Sequence, residues 1–474
     1  MSRRRTKREV GDVVRRERWV TLTTLAMLQA VTIVTGAYAV TNDFSLGALT
    51  RPESQPSVPA EPSPVPVITS GPVLATGGNG PLPTKGTLTS QLTDALGDEA
   101  LGGRVGAVVL DAATGQQIFA ANPAAGIVPA STTKVVTCVA ALASLGPDAR
   151  LKTSVVQGAN KSSIVLVGGG DPTLAGPFAK AGAYPKQASM AQLASRTAAA
   201  LKSSGVTKVT LSYDATLFTG PTSALGWKPN YIPDGEVAPV HALTIDVGRR
   251  HPSSRAPRVA NPSAFAAAAF ARLLGKYGIS VGKTVRPSKA QAGAPALATV
   301  ESAPVYALVE RTLTMSDNDL AEALARHVAI KEGQPASFEG GSRAIAAVLK
   351  RIGVAKGVML SDASGLSIRN RVSADGMARV LAIASKDPAL RPILSGMPIA
   401  GFTGTLGSRF TRDDSKGEVG LVRAKTGTLN NVNTLAGFAT TRGGRLVTFA
   451  FMADKVPGTA EPVLDRLAAI VARS

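Results

Sequence analysis

Only one cysteine, Cys138, occurs in the 474 residues, so no internal disulfide can form. It lies in the apolar run Val135-Val136-Thr137-Cys138-Val139-Ala140, where a small thiol reads as a buried core residue. Aromatic residues make up 4% of the chain against 44% hydrophobic residues overall, so Ala, Val and Leu must fill most of the core. Three histidines, His241, His251 and His327, show no metal-ligand spacing. The net charge of +20 comes without a zinc-finger or RNP-type motif. That combination argues against nucleic acid as the partner and leaves anionic membranes and polymers.

Part of the charge is concentrated at the start. Residues 1–18 hold eight basic and three acidic side chains and read as a basic cytoplasmic tail. From Trp19 to Val40 no charged residue occurs. As a helix this segment would be about 33 Å long, enough for a bilayer core. The positive flank places the tail inside and everything after Val40 outside. A transmembrane anchor is the first reading of 19–40. Ala37-Tyr38-Ala39 also fits a signal-cleavage site, so export after cleavage is the second. Residues 41–86, dense in Pro, Ser and Gly, read as an extended linker.

The globular part opens with leucines at 88, 92 and 96, a helical spacing. Arg104–Asp111 and Gln116–Ala120 read as a strand pair, and Ser131–Leu145 as a helix opened by Pro129. At the other end, Val422–Thr428, Thr434–Thr440 and Arg445–Ala453 read as strands, followed by an amphipathic helix over Glu461–Arg473. Residues 87–150 and 291–474 thus form one α/β domain whose sheet is completed by both ends of the chain. Residues 151–290, rich in Gly turns, read as an inserted β-rich domain.

Three short motifs carry chemistry. Ser131-Thr132-Thr133-Lys134 puts a hydroxyl and an amine three residues apart at a helix start, where they are neighbours. For the amine to take the serine proton its pKa must fall by about 3 units, through burial and a second cation nearby. A decoy, Ser280-Val281-Gly282-Lys283, lies in a strand-like segment, where residues three apart face opposite ways. Gly278–Thr284 is one residue short of a phosphate-binding loop. Ser316-Asp317-Asn318 stands between two helical runs, Val305–Thr314 and Leu320–Ile330. By itself it is an ordinary helix cap. Lys425-Thr426-Gly427-Thr428 lies on a predicted strand, and by itself is a strand end with a bend. In this order the three are the set shared by class A β-lactamases and penicillin-binding proteins.

The chain thereby resembles the class C low-molecular-mass penicillin-binding proteins, the D-alanyl-D-alanine carboxypeptidase/endopeptidase family. Val165–Leu174 and Asp362-Ala363-Ser364-Gly365-Leu366-Ser367 extend the resemblance to about residues 90–474. Ala363 and Ile368 depart from it, standing where the family has Gly and Arg. The resemblance implies a β-lactamase/transpeptidase-like domain, a helical cluster plus a five-stranded antiparallel sheet. It implies catalytic roles for Ser131, Lys134, Ser316 and Asn318, and substrate binding by Lys425, Thr426, Gly427 and Thr428. The expected activity is hydrolysis of D-Ala-D-Ala bonds in peptidoglycan stem peptides, or of their cross-links. β-Lactam antibiotics would act as covalent inhibitors, and no cofactor is expected. A β-lactamase shares the chemistry, and a catalytically weak wall-binding protein shares the tether and the charge.

Overall fold

The computed structural model describes residues 27–29, 80–83, 85–177, 182, 184–251 and 257–474. The basic tail and almost all of the apolar segment and linker lie outside these. Among the described residues no helix is long and apolar enough to cross a membrane.

Along the chain, helix α1 spans Lys85–Leu96, and strands β1 (Arg104–Asp111) and β2 (Gln117–Ala121) follow. A 3-10 turn over Ala130–Thr132 leads into α2 (Thr133–Leu145). Then come β3 (Lys152–Gln157), β4 (Ser163–Val167), α3 (Met190–Ser203), β5 (Lys208–Asp214), α4 (Pro262–Lys276) and β6 (Ala296–Glu301). The helices α5 (Val305–Thr314), α6 (Asn318–Lys331), α7 (Phe338–Arg351) and α8 (Ala374–Lys386) come next. Strands β7 (Val422–Leu429), β8 (Val432–Thr440) and β9 (Leu446–Asp454) precede α9 (Glu461–Arg473).

The main sheet runs β7-β8-β9-β1-β2 with every pair antiparallel. Arg104 pairs with Asp454, so the two ends of the chain meet in its middle. Both faces are covered, and the two-residue period of a strand sorts side chains between them. Val108, Leu110, Phe438 and Met452 pack with α2 and α5–α8. Ala107, Val109, Leu435, Phe449 and Phe451 pack with α1 and α9. Cys138 is fully buried in the first of these cores, and burial pushes its thiol pKa upward. Thiol reagents are therefore expected to leave the native protein unlabelled and to modify one cysteine once it is denatured. Labelling under native conditions at the denatured rate would contradict this core.

Residues 152–301 build a second sheet, in which β3 pairs antiparallel with both β4 and β6. β4 and β5 are parallel, as are β5 and the short strand Ser280–Val281. Parallel neighbours need a crossover, and α3 and α4 supply the two. Their apolar faces join one core with the sheet, including Leu193, Leu201, Phe270 and Leu274. The sequence named only strands here. Ser189 and Asn261, which cap the two helices, were legible signals. Ser280 and Lys283 stay in this sheet region, away from the site described next.

Candidate active site

The first motif opens α2. Ser131 is in the 3-10 turn, and Lys134 is in the first turn of the helix, fully buried. Lys134 Nζ lies 2.9 Å from Ser131 Oγ, 2.6 Å from Asn318 Oδ1 and 2.6 Å from the Ser364 carbonyl oxygen. Those three acceptors come from three separate stretches of chain. Burial brings the lysine down to about 8, while Asp362, Glu322 and Asp317 pull the other way. Two non-glycine residues with positive φ flank this arrangement, Ala130 at 48° and Ser316 at 55°. Strain of this kind persists only where the surroundings over-determine the backbone.

The second motif does two jobs. Asp317 caps α6 by accepting from Leu320 N at 3.0 Å, and pairs with Arg311 at 3.0 Å. Burial pushes its carboxyl up, but Arg311 and the cap bond hold it below the ordinary value. Ser316 and Asn318 line the cleft on either side of it. Asn318 also donates Nδ2 to the Glu236 carbonyl at 2.9 Å, so both ends of its amide are engaged.

The third motif lies on β7, the edge strand of the main sheet. Lys425 is fully buried and donates to the Thr426 carbonyl at 2.9 Å. Its pKa falls well below the usual lysine value, from burial first and from the charge of Lys134 second. Thr426 donates to Thr405 Oγ1 at 2.8 Å. A Cβ on Gly427 would lie 2.2 Å from Thr434 Oγ1 and 2.6 Å from the Pro129 carbonyl oxygen. This glycine therefore admits the turn that carries Ser131, which is why the strand and the nucleophile sit together. Ser131, Ser316, Asn318 and Thr428 thus line one cleft, Thr426 lines the hollow beside it, and Lys134 lies buried against Ser131 and Asn318.

That cleft has a volume of about 690 Å³ on one side of Ser131, walled by Tyr231, Glu236, Arg249, Arg258 and Leu366 among others. A smaller hollow of about 330 Å³ lies on the other side, reaching Thr405, Arg409, Thr428 and Glu461. An equally large hollow between α1 and α9, lined by Leu88 and Ile470, touches none of the three motifs. No histidine lines the cleft or the hollow beside it, and burial lowers His327 to about 4 and lowers His241 also. Among the described residues no cluster is suited to a metal ion.

A sequence model of the D-Ala-D-Ala carboxypeptidase 3 (S13) family matches residues 88–257 and 249–472. The chain belongs to this family. It is 38% identical to a carboxypeptidase of Mycobacterium tuberculosis, over 86% of this chain and 88% of that one. It is 35% identical to carboxypeptidase DacB of Mycolicibacterium smegmatis, over 96% and 97%. Among solved structures, penicillin binding protein 4 (dacB) of Haemophilus influenzae superposes with a TM-score of 0.67 at 26% identity, covering 80% of this chain and 97% of that one. The same protein has been solved with a β-lactam. The protein is a low-molecular-mass penicillin-binding protein, a serine-type D-Ala-D-Ala carboxypeptidase.

Two features of this carboxypeptidase escaped the motifs. Glu322, on α6 one turn after Asn318, is 1% exposed. Its Oε1 accepts from Ala363 N at 3.0 Å and Ser364 N at 2.8 Å, which fixes the peptide whose next carbonyl holds Lys134. The i, i+4 spacing from Asn318 was the available signal. The loop itself wraps Asp362, which accepts from Gly365 N, Ser367 N, Asn370 Nδ2 and Trp227 Nε1 at 2.6–3.0 Å. Ala363 fits this loop buried, and Ile368 is half exposed. Second, residues 230–236 together with Arg249 and Arg258 return from the inserted segment to wall the cleft. Trp227 bonds Asp362, and Arg258 pairs with Asp319 at 3.1 Å. No local pattern announces such a long-range return.

Proposed function

We propose that Ser131 is the acylated nucleophile and that the enzyme trims peptidoglycan stem peptides outside the cytoplasmic membrane. The observation that carries this reading is Lys134 Nζ bonded at once to Ser131, Asn318 and the Ser364 carbonyl. As the Ser131 Oγ–C bond forms at the penultimate D-alanine carbonyl, the hydroxyl proton passes to neutral Lys134. The backbone N–H groups of Ser131 and Thr428 receive the developing oxyanion, a contribution of about 10²–10³ in rate for each donor. The C–N bond then breaks, and Ser316 relays a proton to the leaving amine. Lys425, Thr426 and Thr428 hold the terminal carboxylate. The stem peptide lies along the β7 edge from Lys425 onward, beyond the stretch where residues 398–400 already pair with Val422–Ala424. Water hydrolyses the ester and returns Ser131. A β-lactam enters the same first step and stops at the acyl-enzyme.

The test is to incubate the full-length protein with a penicillin, record intact mass and map the modified peptide. One adduct on Ser131, with D-alanine release from a pentapeptide ending in D-Ala-D-Ala, is the expected result. An adduct on another residue would remove Ser131 from the mechanism. The basic tail followed by uncharged Trp19–Val40 supports membrane attachment with the catalytic domain outside. Full-length protein should then sediment with membranes, and protein lacking residues 1–40 should not.

A further inference from the structure

Positive charge is concentrated in the inserted segment. Residues 151–290 hold 17 basic and 5 acidic side chains, a net +12 of the whole chain's +20, in under a third of its length. Within them a hollow of about 640 Å³ lies beside the second sheet, lined by Arg272, Gly278, Ser280, Lys283 and Val285 among others. Four more bases stand at its rim. A Cβ on Gly278 would lie 3.1 Å from Lys202 Nζ, Lys208 is the register partner of Ser280, Lys276 ends α4, and Arg286 follows Val285. All six basic side chains are exposed. Among the described residues none of the six forms an ion pair; those of this region join Lys152 to Glu301 and Arg258 to Asp319. The stretches that carry them, residues 190–214 and 259–300, contain one carboxylate, Asp214. Its two oxygens already accept from Thr216 N and Ala290 N at 2.8 Å. A cation complements the dipole at a helix C-terminus, which accounts for Lys202 and Lys276 in the last turns of α3 and α4. It does not account for Lys208, Arg272, Lys283 and Arg286. Like charges gathered in this way repel one another, and a polyanion relieves that repulsion. No large apolar or aromatic side chain is exposed on these stretches. The patch therefore lacks both the apolar face of a membrane-surface element and the stacking platform of a nucleic-acid groove.

We propose that this basic patch docks the enzyme on a phosphate-bearing anionic polymer of the cell wall. A lysine ammonium binds phosphate as a point charge and tolerates loose register. A chain with a charge on every repeat engages several of the six positions at once and releases counterions as it does so. None of the six lines the cleft or the hollow beside Ser131, so the docked enzyme keeps its active site open. The inference rests on the reading that the enzyme acts on peptidoglycan outside the membrane. It adds that the inserted segment is what holds the enzyme to the wall.

The experiment uses full-length protein acylated with penicillin, so that stem peptides cannot hold it through the cleft. Binding is measured to soluble poly(glycerol phosphate), and to purified cell walls before and after acid removal of their phosphodiester-linked polymer. One variant combines Lys208→Gln, Lys276→Gln, Lys283→Gln and Arg286→Gln, and a second combines Lys208→Arg, Lys276→Arg and Lys283→Arg. Wild type should bind the soluble polymer about fiftyfold more tightly at about 50 mM salt than at about 200 mM, as about four phosphate contacts require. It should bind stripped walls about tenfold more weakly than intact ones. The glutamine variant should lose about tenfold on both the polymer and intact walls, and the arginine variant should match wild type. D-Alanine release from a soluble pentapeptide by unacylated protein should stay within about twofold in all three. Equal binding of the glutamine variant and wild type to intact walls overturns the inference, as does undiminished binding of wild type to stripped walls. Loss of phosphatidylglycerol-vesicle binding in the glutamine variant without loss of wall binding assigns the patch to the membrane and also overturns it. A missing Ser131 adduct in wild type overturns the site assignment instead, and the soluble polymer, which holds no stem peptide, still decides the patch.

Discussion

Replacing Lys134 with methionine is expected to slow penicillin acylation of Ser131 by about 10³, within the range for loss of a positioned general base. Methionine fills much of the buried space but cannot accept the hydroxyl proton. The stronger test is the pH profile. Burial lowers Lys134 from 10.5 to about 8, a differential cost on the order of 3 kcal/mol against the charged form. The base must be neutral to act, so wild-type acylation should fall as pH drops through about 8 and level off above about 9. At pH 7 roughly a tenth of the sites carry the neutral amine. Acylation measured from pH 6 to 10 reads this directly. A Lys134→Met protein that kept the same limb would move the base to another residue.

Glu322→Ala should be the most destabilising single change around the site. It would leave two buried backbone N–H groups without their acceptor. It would also leave Arg326, 1% exposed and paired with Glu322 at 3.4 Å, as an uncompensated buried charge. The guanidinium lies 4.1 Å over the Phe338 ring, which does not replace a carboxylate. Breaking a buried pair in this way costs about 3–5 kcal/mol, to be read as a lower urea midpoint. Glu322→Gln keeps an acceptor oxygen for Ala363 N and Ser364 N, so it should lose less stability. It also separates geometry from charge. Lys134 is faced by Asp362, Glu322 and Asp317 on the acidic side, and Lys425 is depressed by burial first and by the charge of Lys134 second. Burial and Asp362 raise Glu322 to about 7, so it is mostly ionised above about pH 8, over the upper part of the range in which Lys134 titrates. Removing that negative charge should let Lys134 fall further and shift the acylation limb to lower pH. An unfolding midpoint equal to wild type in Glu322→Ala would deny the carboxylate its place in the loop.

Much of this protein was legible in local sequence because the signals are local. Ser131 and Lys134 are neighbours through helix geometry alone, and no tertiary contact is needed to bring them together. The apolar runs of β1, β7, β8 and β9 mark strands, and the spacing in α1 and α9 states which helix faces are buried. The order of the three motifs was enough for the family. What the tertiary structure decided is everything carried by chain segments far apart. Asn318 and Ser364 lie 184 and 230 positions from Lys134, yet both bond its amine. The sheet order β7-β8-β9-β1-β2 leaves β7 at an edge, and Gly427 allows the Ser131 turn to pack against it. Glu322 and the wall made by residues 230–236, Arg249 and Arg258 read as ordinary polar or loop residues until that packing is known. Periodicity along a strand or helix fixes which side of an element is apolar. It does not fix which distant element will cover it, and a catalytic cleft is made where such elements meet.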